Sequence, residues 1–452
     1  MATSKITTKK NILKNKLYPE STEINEKGHL TIGGYDTVEL VKKFGTPLYV
    51  VDELTVRAKA NEYVTALKKY YNNFLVLYAA KAFACTGIFK LVDNLGLGID
   101  VVSGGEIYLA LKTKTNKNNI YFNGNNKSEE ELNMAIKNEI ENIIIDNFYE
   151  LELTNKIAKE MNKKVKILIR LTPGIECHTH EYIKTGHLDS KFGFDTDYFE
   201  EVINLITQKF DSLHLTGIHA HIGSQIFELK PFADTVDVVF EYFKIAKQKY
   251  NIELSELDIG GGIGISYTSK DDPPSIEDWV KTTSEAINKN CNKLNLIPPK
   301  LICEPGRSLI GTSGITLYKA GSTKQVPNGR KFVSVDGGMA DNPRPITYQA
   351  EYTAVVANKM NKSTNHEPVT IAGRYCETGD ILVKDILLPK IEPDDIIAVL
   401  GTGAYNYSMS SNYNTVPRPA CVLVNNGKAD ILIDREDYNS ITSKHRIPEW
   451  LN

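Results

Sequence analysis

The sequence predicts an α/β chain with an all-β addition: a (β/α)8, TIM-like barrel first, then a C-terminal β-domain that also takes in the N-terminal segment. Three observations carry this. From about residue 50 to about residue 310, eight apolar strand candidates alternate with helical patterns. Beyond 310 the helical period stops and short alternating strands take over. The length of 452 residues suits two domains, since domains run about 100–200 residues and barrels reach about 250 as one unit.

The barrel strands are expected at 74–79, 98–102, 119–122, 142–146, 166–171, 215–221, 256–259 and 300–303. Several are continuous apolar runs, as parallel strands covered on both faces are. Helical patterns fall between them at Ser128–Ile136, Tyr149–Met161, Asp197–Lys209, Pro231–Tyr250 and Ser275–Leu294. Ser128 with Glu131 three residues on is a capping box. A doubly wound sheet is the alternative fold, but it rarely needs eight such regular repeats. The β-domain reads as Gly314–Ala320, Lys331–Val335, Val369–Ala372, Asp380–Leu387, Asp395–Leu400 and Ala420–Ile433, the last holding the hairpin signal Asn426-Gly427. The N-terminal part holds Leu30–Gly33, a short helix over Asp36–Lys43 and Pro47–Val51. A barrel does not need it, so 1–45 is expected to join the β-domain, with the barrel over 46–310 and the β-domain over 311–452. The connection from Thr172 to Asp197 is long for a βα loop and is expected to act as a lid.

Composition excludes several classes. Net charge is −3, with no basic block to track nucleic acid phosphates. The apolar runs fall short of the ~20 residues that span a bilayer, and the start, Met1–Ile6, has no apolar signal core. The six cysteines are scattered, with no CxxC pair. That argues for reduced thiols in the cytoplasm and against a disulfide framework or a metal site.

Barrel enzymes place their chemistry at the carboxyl ends of the strands, and the polar residues expected there converge. Lys81 closes the first apolar run, Phe74–Ala79. Alone, a lysine in that place ordinarily ends a strand in water; with suitable company it can condense with an aldehyde cofactor. Asp100 and Ser103-Gly104-Gly105-Glu106 follow at the second strand, and Arg170 lies on the fifth. The sixth ends in His219-Ala220-His221-Ile222-Gly223-Ser224, with both histidines on one face. The seventh ends in Asp258-Ile259-Gly260-Gly261-Gly262, and the eighth in Glu304-Pro305-Gly306-Arg307. A glycine run after a strand often marks only a bend. No strand with an acidic end follows at the spacing a dinucleotide site needs, so a backbone phosphate cradle fits better.

Together, Tyr78-Ala79-Ala80-Lys81-Ala82, His221-Ile222-Gly223-Ser224, Gly260-Gly261-Gly262 and Glu304-Pro305-Gly306-Arg307 resemble the pyridoxal-phosphate decarboxylases of the alanine-racemase-like fold. The β-domain narrows this. Asp336-Gly337-Gly338-Met339, Arg344-Pro345 with Tyr348, Cys376-Glu377-Thr378-Gly379-Asp380 and Gly403-Ala404-Tyr405-Asn406-Tyr407 are similar to the motifs of the diaminopimelate decarboxylase branch, as is Ser190-Lys191-Phe192-Gly193-Phe194. The likeness runs from about residue 30 to the end, in the family's order; the one departure is Phe83, where the lysine motif often has Asn.

The resemblance implies pyridoxal 5′-phosphate as cofactor and meso-2,6-diaminoheptanedioate as substrate, converted to L-lysine and CO2. It implies that Lys81 bonds the cofactor, that Glu304 holds the pyridine nitrogen, and that His221 stacks on the ring, with Asp100 beside it. Ser224, Gly261, Gly262, Pro305, Gly306, Arg307 and Tyr405 would hold the phosphate and its surroundings. Arg307, Arg344, Tyr348 and Tyr405 would bind substrate, the arginines gripping its distal carboxylate. Cys376 would return a proton to the α-carbon, and Glu377 would meet the distal ammonium. In this family Cys376 and Glu377 come from the partner subunit, so a homodimer with shared sites is implied. A relative acting on ornithine, arginine or carboxynorspermidine is the alternative; such substrates have no use for Arg307, Arg344 and Glu377 together. A non-catalytic, cofactor-binding regulator is a further alternative, and it would usually lose Lys81 or Cys376.

Overall fold

A computed structural model describes residues 16–175, 190–361 and 366–451. The chain start and most of the connection expected to form a lid lie outside the described residues. The described part forms two compact units.

The first unit covers Arg57–Ile265 and Asp272–Leu309 and is a closed parallel barrel. Its strands are β1 (Phe74–Ala79), β2 (Gly98–Val101), β3 (Ile120–Phe122), β4 (Asn142–Ile145), β5 (Val165–Thr172), β6 (Leu213–His219), β7 (Glu256–Asp258) and β8 (Lys300–Cys303). Each pairs with the next, and β8 closes onto β1 with Leu301–Cys303 beside Phe74–Val76. All eight fall where the apolar runs predict them. Helices follow the strands, among them Glu129–Lys137 with the expected Ser128–Glu131 capping box and the long Lys230–Tyr250 and Ile276–Leu294.

Inward-facing residues fill the barrel, so its interior is a core. Leu77, Tyr121, Ile144, Leu168 and Ile302 form one buried apolar cluster. On β7, the Glu256 carboxylate accepts hydrogen bonds from Tyr121 (3.1 Å), Asn142 (2.8 Å), Thr216 (3.3 Å) and Lys300 (3.2 Å). A buried charge needs such company. Gly217 is forced by closeness: a Cβ there would lie 1.9 Å from the Glu256 carbonyl oxygen.

The second unit takes the chain through Val56, returns for Ser266–Asp271 and resumes at Ile310. Strand Leu48–Asp52 lies between Gly314–Gln325, antiparallel, and Ala420–Asn425, parallel. The expected barrel start at residue 46 is therefore corrected. All five residues of Leu48–Asp52 are buried within this sheet, and the barrel's first strand comes only at Phe74. Leu17, Leu30, Ile32 and Leu40 pack into one core with Leu48, Val50, Leu317 and Val422, so the N-terminal segment belongs to the β-rich unit. The 420–433 segment folds as a hairpin, with Asn426 (φ 47°) and Gly427 (φ 73°) at its two-residue turn. Strand Ala354–Val356 has no counterpart in the sequence reading; at three residues it is too short to show alternation.

Candidate active site

The polar residues at the barrel's carboxyl rim meet around one cavity of about 280 Å³. Lys81 sits in a single turn, Ala80–Ala82, directly after β1. It lines the cavity with Asn123, Arg170, His219, His221 and Glu304. Each follows from strand geometry: all six lie within two positions of the carboxyl end of a parallel strand, and these ends share one rim of the barrel.

The electrostatics centre on three buried carboxyl groups, Asp100, Asp258 and Glu304. They cannot all carry charge in one low-dielectric site. Burial, then the charge on Glu304, pushes Asp100 and Asp258 well above the usual carboxylate range. Glu304 goes the other way. Burial alone would raise it, but the His219 contact and the Lys81 charge outweigh burial and keep it ionised. The Asn123 amide donates to Glu304 Oε1 (2.7 Å) and to Asp100 Oδ1 (2.8 Å), joining the two acids. His219, buried and pushed down by desolvation, is neutral. Its Nε2 lies 3.4 Å from Glu304 Oε2 while Nδ1 has no partner, which selects the Nε2–H tautomer. His219, Asp258 and Glu304 bring one ligand atom each to within 4.8 Å of one another.

His221 is also held neutral, first by burial and then by the Lys81 charge. Its Nδ1 accepts the Gly261 N–H at 3.2 Å. The glycine turn is tight for visible reasons. A Cβ at Gly261 would meet the Glu304 carbonyl oxygen at 2.3 Å, and one at Gly262 the Gly223 oxygen at 2.6 Å. The Gly260 N–H goes to Asp258 Oδ1 at 2.9 Å. Two amides of the run thus hold side chains of the site itself, a use that spacing alone does not show. Nearby, the Arg307 guanidinium donates to Ser224 Oγ through Nε (3.4 Å) and Nη2 (3.2 Å). The Pro305 oxygen accepts the Ala79 N–H at 3.2 Å, tying the β8 exit to β1 two residues before Lys81.

Asn123, His219, Asp258 and Arg170 complete the buried rim and are not among the residues that the sequence reading assigns a role. Arg170 packs its guanidinium 4.4 Å from the Phe192 ring centre, within the Ser190–Phe194 motif. Asn123 had no usable signal: an Asn directly after a strand reads as a turn residue.

The remaining expected residues lie in the β-rich unit. Arg344 opens the short helix Arg344–Tyr348 and is buried. Its Nη1 donates to the Tyr352 hydroxyl at 2.7 Å, and its guanidinium lies 4.9 Å from the Tyr267 ring centre and 6.0 Å from that of Tyr348. Tyr405 has a positive φ of 64° and precedes the buried Asn406, which accepts the Tyr352 hydroxyl at 3.3 Å. Cys376 is exposed, its N–H donating to Asn414 Oδ1 at 2.9 Å, and Glu377 is exposed beside it.

The barrel matches the family model described as "Pyridoxal-dependent decarboxylase, pyridoxal binding domain" over residues 55–311, more than half of the chain. The full chain resembles named relatives more narrowly. A diaminopimelate decarboxylase of Synechocystis sp. is 49% identical over 444 residues, covering 96% of this chain and 94% of that protein. The Bacillus subtilis one is 44% identical over 419 residues, covering 92% and 95%. The crystal structure of diaminopimelate decarboxylase from M. jannaschii in co-complex with L-lysine superposes with a TM-score of 0.90 at 35% identity, covering 96% of this chain and 100% of that one. The chain belongs to the pyridoxal-dependent decarboxylases and, within them, to the diaminopimelate decarboxylase family.

The barrel rim fits the cofactor that this family name carries. An amine, an ionised buried carboxylate and a neutral imidazole face one cavity, beside a turn that admits no side chain. These are the partners that an aldehyde, a protonated ring nitrogen and an aromatic face require.

Proposed function

We propose that this protein decarboxylates meso-2,6-diaminoheptanedioate to L-lysine and CO2, using pyridoxal 5′-phosphate, as a cytoplasmic homodimer with shared sites. The observation that carries the reading is the charge pattern at the barrel mouth. Of three buried carboxyls, Glu304 alone is shifted toward the charged form, held by His219 and Asn123 in the cavity that Lys81 lines, while Asp100 and Asp258 are shifted toward the neutral form. Bound there, the cofactor supplies an electron sink for the pair released when a C–CO2 bond breaks. Lys81 holds it through the side-chain amine. Glu304 keeps the ring nitrogen protonated, and Asn123 and His219 keep Glu304 in place. Neutral His221 offers an uncharged face for stacking. Ser224, Gly262, Gly306 and Arg307 take the phosphate.

The roles of the β-rich unit's residues rest on the family's motif order. Arg344, with Tyr348, grips the distal carboxylate, and its aromatic surround favours a fixed guanidinium plane. Cys376 returns a proton to the carbon that lost CO2, and Glu377 meets the distal ammonium, both from the partner subunit. The exposure of Cys376 within one chain agrees with such delivery. Among the described residues no cysteine forms a disulfide, and no helix is long and apolar enough to cross a membrane.

The test is an absorbance spectrum of the purified protein during amino acid addition, with CO2 measured. The cofactor band should shift, and CO2 appear, with meso-diaminopimelate. Equal turnover of ornithine or arginine would favour the alternative, a relative acting on ornithine, arginine or carboxynorspermidine. A shift without CO2 from any of them would favour a binding protein.

A further inference from the structure

Within the β-rich unit, two segments carry the residues assigned to substrate and proton chemistry. One runs from Asp336 to Arg344; the other, from Gly373 to Asp380, carries Cys376 and Glu377. They are stitched together. The Arg374 N–H donates to the Gly337 oxygen at 3.0 Å, and Asp380 accepts the Met339 N–H (2.6 Å) and the Tyr375 N–H (2.8 Å). At the centre stands Asp341, 1% exposed. Its carboxylate accepts the Tyr318 hydroxyl (2.6 Å), the Tyr375 hydroxyl (3.2 Å) and the Gly338 N–H (3.1 Å). Its backbone oxygen accepts the Tyr49 hydroxyl. The packing leaves no slack: a Cβ on Gly337 would lie 2.7 Å from Asp341 Oδ2 and 2.4 Å from the Tyr318 ring.

Asp341 stands three residues before Arg344, and Tyr375 directly precedes Cys376. A buried carboxyl is costly unless its acceptors are filled, and none of the roles assigned above falls to this one. We propose that Asp341 is a positioning residue: its carboxylate clamps the segment carrying Arg344 to the segment carrying Cys376 and Glu377, so that carboxylate recognition and proton delivery share one anchor. The inference rests on the roles proposed above for those three residues.

Asp341→Asn is the direct test. An amide keeps one acceptor oxygen and turns its NH2 toward a hydroxyl donor, so the clamp loses a partner while the volume stays the same. The variant should lose kcat and gain KM for meso-diaminopimelate, each by about 10-fold or more, the scale on which small misplacements of reacting groups act. Alkylation of Cys376 by iodoacetamide in the substrate-free dimer, followed by peptide mapping, should become several-fold faster as the segment loosens. Cofactor content should not change. Tyr375→Phe removes only the hydroxyl beside Cys376; it should lower kcat and speed alkylation with KM kept, and it decides the matter if Asp341→Asn does not fold. A folded variant with wild-type kcat and wild-type Cys376 alkylation, whatever its Tm, overturns the clamp. If wild-type protein releases no CO2 from meso-diaminopimelate, the functional reading fails by itself, and the alkylation comparison still reads the clamp.

Discussion

At the scale of single residues, the site divides its labour by ionisation. Lys81 is legible in the sequence because it ends an apolar run abruptly, and Glu304 because it opens a Pro-Gly-Arg turn. Which acid stays charged is not legible: it depends on Asn123 bridging two strand ends and on His219 reaching across the barrel. Lys81→Ala should abolish covalent cofactor attachment. Borohydride reduction with peptide mapping checks this, and a labelled peptide holding another lysine would refute the assignment. Asp341 gives a pH signature. Burial raises its carboxyl from 3.8 to about 7 despite the hydrogen bonds it accepts. A carboxyl raised on folding contributes stability below its unfolded value and loses it as pH rises through the folded one. The Tm advantage of wild type over Asp341→Asn should therefore narrow as pH rises from about 4 to about 7. A gap that stays constant would mean that Asp341 does not titrate in this range.

At the scale of elements, the eight barrel strands are readable because their residues are apolar on both faces, and helices such as Glu129–Lys137 because their caps are written locally. The clamp around Asp341 is not readable, since Tyr49, Tyr318 and Tyr375 reach it from three separate segments. The glycine turn lies between these cases: three consecutive glycines announce a close approach but not its object. The object is the backbone at Glu304 and the ring of His221. Gly261→Ala would set a Cβ 2.3 Å from a carbonyl oxygen that has no free rotor to yield. We expect a loss of about 1–3 kcal/mol, the usual cost of overpacking, together with weakened cofactor retention. Urea unfolding and dialysis against cofactor-free buffer measure the two. Unchanged stability would mean that the turn relaxes freely.

At the scale of the whole molecule, the shared-site reading has a quantitative test. Lys81→Ala and Cys376→Ala proteins should each be inactive. Mixed with subunit exchange, they form hetero-dimers in which one site has both residues intact and the other has neither. Half of all dimers are then mixed and carry one good site of two, so about a quarter of wild-type activity should return, as two-fold symmetry requires. No recovery after verified exchange would place both residues in one subunit. The sequence shows that the β-rich unit is discontinuous, taking in the N-terminal segment, but not where that segment ends, because a buried five-residue strand such as Leu48–Asp52 looks the same whichever sheet receives it. Strand Leu48–Asp52 takes its neighbours from Gly314–Gln325 and Ala420–Asn425. Arg435 reaches back across 388 positions to the Pro47 oxygen. During synthesis the barrel can close once Cys303 has left the ribosome, and Gly314–Leu317 can cover one edge of the opening strand soon after, but its other edge stays bare until Ala420–Asn425 emerges. Such edges are templates for wrong pairing. A stop codon shortly before Ala420 would leave that edge bare for good, so loss of the chain from Ala420 onward should send the protein into aggregates and chaperone complexes, with the barrel's own residues untouched.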